Sequence, residues 1–173
     1  DFCELFFENT VNNTISVMGS DVTNVSTSNI YGVGVRLLKD SDEVYGYTNK
    51  VTYESIKHLI DDLKASFTGN KHKVERLKDK MPFEYNIKKP FKTKKLLSLS
   101  KIMKDYSDKI IQTVVRLLET EQKVLIANTE GIYQDDIRTY TRCTMMAVAK
   151  EDNKMQEAYE GPGRHVGYEL FDM

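Results

Sequence analysis

Residues 31–48 read Tyr-Gly-Val-Gly-Val-Arg-Leu-Leu-Lys-Asp-Ser-Asp-Glu-Val-Tyr-Gly-Tyr-Thr. Tyr31, Val33, Val35 and Leu37 alternate with Gly32, Gly34, Arg36 and Leu38, and a period of two places the first four on one face of an extended strand. The polar run Asp40-Ser-Asp-Glu43 is a turn, and Val44-Tyr-Gly-Tyr-Thr48 returns as the next strand. Glycines at 32, 34 and 46 mark places where the strand bends or a neighbour packs close to the backbone.

The same logic extends outward. Phe2 to Phe7, Thr14–Met18 and Val22–Thr27 read as strands, the last two turned at Gly19-Ser-Asp21. C-terminal to the meander, Thr52 is an N-cap for a helix whose apolar positions are Ile56, Leu59, Ile60, Leu63 and Phe67. A weaker helical stretch is expected at 71–80. Leu96, Leu99, Ile102, Met103 and Tyr106 outline another helix. Strand character resumes at Ile110, with 111–117, 124–127, 132–133, 139–149, 155–159 and 166–171 as candidates and a glycine-closed turn at Asn128-Thr-Glu-Gly131.

The expected fold is α+β: two largely antiparallel β meanders, with two or three amphipathic helices between them packed on one face. Residues 1–80 form the N-terminal meander and helices, 81–94 a linker-like segment, and 95–173 a helix plus the second meander. The alternative is one continuous domain truncated at its C-terminus. The chain starts and stops inside apolar, strand-like runs, which reads as a fragment.

Composition narrows the function classes. The 173 residues carry 25 basic and 26 acidic side chains, for a net charge of −1. That balance argues against a polybasic nucleic-acid binder, which needs a broad cationic excess to displace counterions. The average hides a gradient, since residues 57–104 hold 14 Lys and Arg against 5 Asp and Glu. This stretch reads as a solvated helical face plus a lysine-rich linker, with an acidic partner or nucleic acid as the other reading. Two cysteines, Cys3 and Cys143, are too few for a disulfide scaffold and read as buried structural thiols in a reducing compartment. No apolar run reaches the roughly 18–20 residues that span a bilayer.

The catalytic inventory is thin. Gly32-Val-Gly34 lies within a strand and lacks the third glycine of a dinucleotide fingerprint. Gly161-Pro-Gly-Arg-His-Val-Gly167 resembles a phosphate cradle, but no Gly-Lys-Ser/Thr follows, and a turn between strands is the plainer reading. His58, His72 and His165 show no metal-ligand spacing.

Several segments in order resemble the N-terminal part of the TldD/PmbA family, once described as modulators of DNA gyrase. They are Gly32-Val-Gly-Val-Arg36, Tyr45-Gly-Tyr47, Val124-Leu-Ile-Ala-Asn-Thr-Glu-Gly131, Arg138-Thr-Tyr-Thr-Arg142, Glu160-Gly-Pro-Gly163 and Gly167-Tyr-Glu-Leu-Phe171. The final segment is closer to the TldD branch. The resemblance implies a cytoplasmic, zinc-dependent metallopeptidase acting on unfolded peptides as a dimer, with a sister TldE/PmbA-like subunit or with itself. The family's His-Glu-x-x-x-His metal motif lies C-terminal to these segments and does not occur in this chain, so no catalytic or metal residue is assigned to it. What remains for the chain is peptide-chamber wall and subunit interface, with Gly161, Gly163, Arg164, His165 and Tyr168 as candidates. The competing reading is a non-catalytic interaction domain that binds a gyrase-related protein or nucleic acid.

Overall fold

A computed structural model describes residues 1–67 and 89–172 of the chain. Its elements are β1 (Phe2–Met18), β2 (Asp21–Lys39), β3 (Asp42–Thr48), α1 (Tyr53–Ser66), α2 (Lys89–Asp105), β4 (Ile110–Asn128), β5 (Tyr133–Glu151), β6 (Lys154–Glu160) and β7 (Gly163–Arg164). A short 3₁₀ helix, Tyr168–Asp172, follows.

The expected pair of meanders with two or three helices between them is corrected. The strands join one mostly antiparallel sheet of order β3-β2-β1-β4-β5-β6, with β7 on β5, and two helices occur among the described residues. Pairing of β1 with β4 fuses the two halves. That contact links segments some hundred residues apart, and no local hairpin signal encodes it. The strands are also longer than expected: β4 runs unbroken from Ile110 to Asn128. The strand expected at 166–171 is instead the 3₁₀ helix. The helix expected at 71–80 lies outside the described residues, as do 81–88 of the expected linker; residues 89–94 belong to α2.

Turns fall where the sequence placed them. The β2–β3 and β5–β6 hairpins each turn through two residues, with Asp40 at φ 52° and Asp152 at φ 53°, a left-handed conformation that aspartate tolerates. Asn128 Oδ1 accepts the amides of Glu130 (3.1 Å) and Ile132 (3.0 Å) ahead of β5.

The described residues divide into two compact units, and each long strand contributes to both. One comprises 1–10, 29–67 and 122–137. Its core is Val35, Leu37, Leu59 and Leu63, flanked by Cys3, Leu5, Val44, Ile60 and Phe67. Thr52 caps α1 as expected, its Oγ1 accepting the Ser55 amide at 3.2 Å. Gly46 clears the space for this helix: a Cβ there would lie 2.9 Å from Leu59 Cδ1.

The other unit comprises 11–28, 89–121 and 138–172. Ile15, Val17, Leu96, Val115, Leu117 and Cys143 form its core, each burial contributing about 1.5–3 kcal/mol for the larger aliphatic side chains. Of the apolar positions expected on α2, Leu96 is buried and Leu99 and Met103 pack against the core. Ile102 and Tyr106 instead face solvent, at 63% and 88% exposure.

Candidate functional site

The Gly161–Tyr168 segment lies along β5 in the second unit. β6 ends at Glu160 opposite Met145, and β7 resumes with Gly163 opposite Arg142 and Arg164 opposite Thr141. Pro162 lies between them and has no amide hydrogen to give, but its carbonyl accepts the Cys143 amide at 2.9 Å, so the edge stays attached through the interruption. Buried Thr141 fixes the far side, its Oγ1 donating to the Val166 carbonyl at 2.8 Å.

The two glycines make room for two tyrosines. A Cβ on Gly163 would sit 2.6 Å from the Tyr140 hydroxyl, and one on Gly161 would sit 3.0 Å from that of Tyr159. The Tyr140 ring meets His165 with centroids 5.5 Å apart, tilted by 60°. Gly163, Arg164 and His165 are exposed, with Gly161 half-buried beside them. The structure therefore gathers four of the five candidates into one strip of backbone edge, flanked by Tyr140, Tyr159 and the Arg142 side chain. Beside β6 runs an apolar groove of about 530 Å³, lined by Ile102, Tyr106, Met145, Ala147 and Ala158 among others.

Tyr168 is placed differently. It is half-buried and packs on Phe171 at 4.9 Å, with Lys92 Nζ 5.6 Å from its ring centroid. Burial pushes its phenol pKa up, reinforced by the negative charges of Glu119 and Asp172 and by Cys143. Lys92 pairs with Glu119 at 2.5 Å, and both side chains are nearly enclosed, at 13% and 12% exposure. Tyr168 thus anchors the 3₁₀ helix to the core rather than lining the strip. One turn earlier, the Gly167 amide donates to Glu169 Oε1 at 2.9 Å and holds that carboxyl below its usual range.

Sequence reasoning missed Tyr140, Thr141 and the Lys92–Glu119 pair. Arg138-Thr-Tyr-Thr-Arg142 was a visible motif, but its pairing with Gly163–Arg164 depends on strand register. Nothing in sequence joins Lys92 to Glu119, and lysines in a basic stretch read as solvated.

The remaining candidates for chemistry stand apart. His58 Nδ1 lies 2.9 Å from Asp62 Oδ2 on an exposed face of α1, and His72 lies outside the described residues. Among the described residues, no group of three or more His, Cys, Asp or Glu could hold a metal ion. These described residues do not fit a zinc site. Cys143 is buried and Cys3 half-buried, and burial raises the pKa of both thiols, Cys143 to about 11, which disfavours the thiolate. No described helix is long and apolar enough to cross a membrane.

Comparison with known proteins supplies the remaining context. The family model described as PmbA/TldA metallopeptidase domain 1 matches residues 3–66, and the one described as the central domain matches residues 84–173. The metalloprotease TldD homologue of Buchnera aphidicola from Acyrthosiphon pisum is 22% identical over 181 residues, covering 99% of this chain and 37% of the relative. Its counterpart from the Schizaphis graminum symbiont is 21% identical over 150 residues, covering 81% and 31%. The crystal structure of TldE from Thermococcus kodakarensis superimposes with a TM-score of 0.69 at 13% identity, covering 96% of this chain and 40% of that one. The chain therefore spans just over a third of the length of the first of these relatives.

Proposed function

Because the chain belongs to the PmbA/TldD metallopeptidase family, we propose that it is the N-terminal, non-catalytic part of a TldD-like zinc metallopeptidase, contributing peptide-chamber wall and subunit interface. The observation that carries this reading is the co-linear match of domain 1 and the central domain along 3–66 and 84–173. The metal and its general base then belong to a later part of the parent, where a metal ion would polarise the peptide carbonyl and activate water.

The strip from Gly161 to His165 suits the wall. An edge strand holds an extended chain through backbone hydrogen bonds that are indifferent to sequence. The apolar groove beside β6 accepts side chains, and Arg164 meets a carboxylate or carbonyl. On this reading the parent is cytoplasmic, takes unfolded peptides, and pairs with a sister TldE/PmbA-like subunit or with itself.

The test is the double variant Arg164→Ala/His165→Ala in the full-length protein. The expected result is weaker peptide turnover, expressed mainly in KM, or weakened dimerisation. Unchanged turnover together with unchanged dimerisation overturns the assignment.

A further inference from the structure

The groove beside β6 is apolar along its floor and acidic at one end. Ala147 pairs with Ala158, Ala149 with Gln156 and Met145 with Glu160 in the β5–β6 ladder, and paired residues share a face of the sheet. α2 packs on that face, because Met145 joins Leu99 and Met103 against the same core cluster. The three alanines keep the floor low, while Ile102 and Tyr106 stand exposed one helical turn apart on α2 and form its wall. The space of about 530 Å³ lies within the roughly 300–1,000 Å³ typical of ligand sites.

The charge of the groove is one-sided. Glu160 lines it, whereas no lysine, arginine or histidine does so among the described residues. Glu160 also has no ion-pair partner among them. Lys101 and Lys104 of α2 turn instead to Asp105 and to the Ile110 carbonyl. β6 ends the sheet order, so its outer edge has no strand neighbour among the described residues. A peptide strand added there continues the ladder, and its alternate side chains fall on the α2 face. A side chain opposite Ala158 meets the apolar floor, and the one two positions along lies opposite Glu160. Opposite charges are favourable at such a cross-strand position and like charges are unfavourable.

We propose that this groove selects the peptide: extended segments with a large apolar residue and, two positions from it, a lysine or arginine, Glu160 being the specificity-determining residue. The proposal rests on the chamber-wall reading above and adds a side-chain preference to its sequence-blind backbone contacts. Acidic segments are the ones it rejects.

Fluorescence anisotropy of labelled decapeptides bound to the chain tests this, with no turnover required. Three peptides of serine and threonine carry one leucine, flanked two positions away on each side by lysine, glutamine or glutamate. Affinity should fall in that order, by about fivefold from lysine to glutamate at low salt. Glu160→Gln should erase the ranking and Glu160→Lys should reverse it. Glu157→Gln removes the same charge from the opposite face, where its partner is Val148, and should preserve the ranking. Ala147→Leu fills the floor and should weaken all three peptides with an unchanged circular dichroism spectrum. Equal affinities in the unmodified chain, no binding of any peptide, or a ranking that survives in Glu160→Lys overturns the proposal. So does a ranking lost equally in Glu157→Gln, which would make net charge its source. The Arg164→Ala/His165→Ala test is separate: a ranking that holds while turnover and dimerisation ignore those two residues removes the strip from the wall and keeps the groove.

Discussion

Ser100 on α2 and Thr113 on β4 meet hydroxyl to hydroxyl at 2.7 Å, each about 1% exposed. Ser100 also donates to the Gly19 carbonyl at 2.6 Å, so its single proton is committed there and Thr113 must be the donor between the two hydroxyls. The Gly19 amide in turn donates to the Thr113 carbonyl at 3.0 Å. One buried serine thereby ties the helix to the β1–β2 turn and to β4. Ser100→Ala leaves the Gly19 carbonyl and the buried Thr113 hydroxyl without that partner and should cost about 1–3 kcal/mol in urea unfolding. Ser100→Ala/Thr113→Val should cost less than the sum of the single changes. Strict additivity would show that the hydroxyls act independently.

Gly32 and Gly34 look equivalent in sequence and are not equivalent in space. A Cβ on Gly32 would lie 2.6 Å from the Thr48 carbonyl oxygen, in backbone already at φ +157°. One on Gly34 would meet the Tyr45 hydroxyl at 2.5 Å, the free end of a side chain 62% exposed. Backbone held in a ladder cannot step aside, whereas a tyrosine can swing into water. Gly32→Ala should therefore destabilise by about 1–3 kcal/mol and Gly34→Ala by less than about 1 kcal/mol. Thermal melts of the two variants decide it, and equal costs would refute the distinction.

These glycines also show how far sequence reading reached. The alternation Val33, Val35, Leu37 and the turns at Gly19, Asp40 and Gly131 were legible because each depends on residues close in sequence. The unbroken sheet was not, because β4 crosses Glu119-Thr-Glu-Gln-Lys123, a run whose polarity reads as a loop. There the strand is held by polar cross-strand partners in place of apolar alternation. Thr120 donates to Asn12 Oδ1 at 2.7 Å, and Gln122 donates to Glu8 Oε1 at 2.9 Å. Asparagines weaken the strand signal in β1 in the same way, yet Asn13 accepts from Thr27 at 2.9 Å and Asn9 accepts from Asn29 at 2.9 Å. At the candidate site, composition exposed Gly161 and Gly163. Tyr140 and Thr141, which fit against them, depend on register, and Tyr168 turned inward because a 3₁₀ helix replaced the expected strand.

Cys143 gives the fold a pH dependence. Burial pushes its thiol from 9.0 up to about 11, so the folded chain holds that proton more tightly than the unfolded chain does. Stability from this source is complete below pH 9 and declines as pH rises toward 11, by roughly 2–3 kcal/mol at full ionisation. The raised phenol of Tyr168 and thiol of Cys3 act in the same direction. Denaturant unfolding at several alkaline pH values should show the decline, and Cys143→Ala should flatten it even though the cavity lowers stability throughout. An unchanged slope in the variant would mean that the buried thiol contributes nothing to it.

Thr141 bears on the candidate site by holding the backbone of the strip. Its hydroxyl donates to Val166 from beneath the strip, while Arg164 pairs with its backbone above. Thr141→Val keeps the volume and removes the donor, so the Val166 carbonyl loses a partner in a part-buried setting at a cost of about 1 kcal/mol or more. Exchange of the amides from Gly163 to Gly167 should accelerate while that of β4 stays constant, because the loss is local. Thr141→Ser restores the donor and should restore slow exchange. If the strip is peptide-chamber wall, the same pair of variants in the full-length protein should raise and then recover KM with little change in kcat. Faster exchange with an unmoved KM would leave Thr141 a structural anchor and remove the strip from the wall.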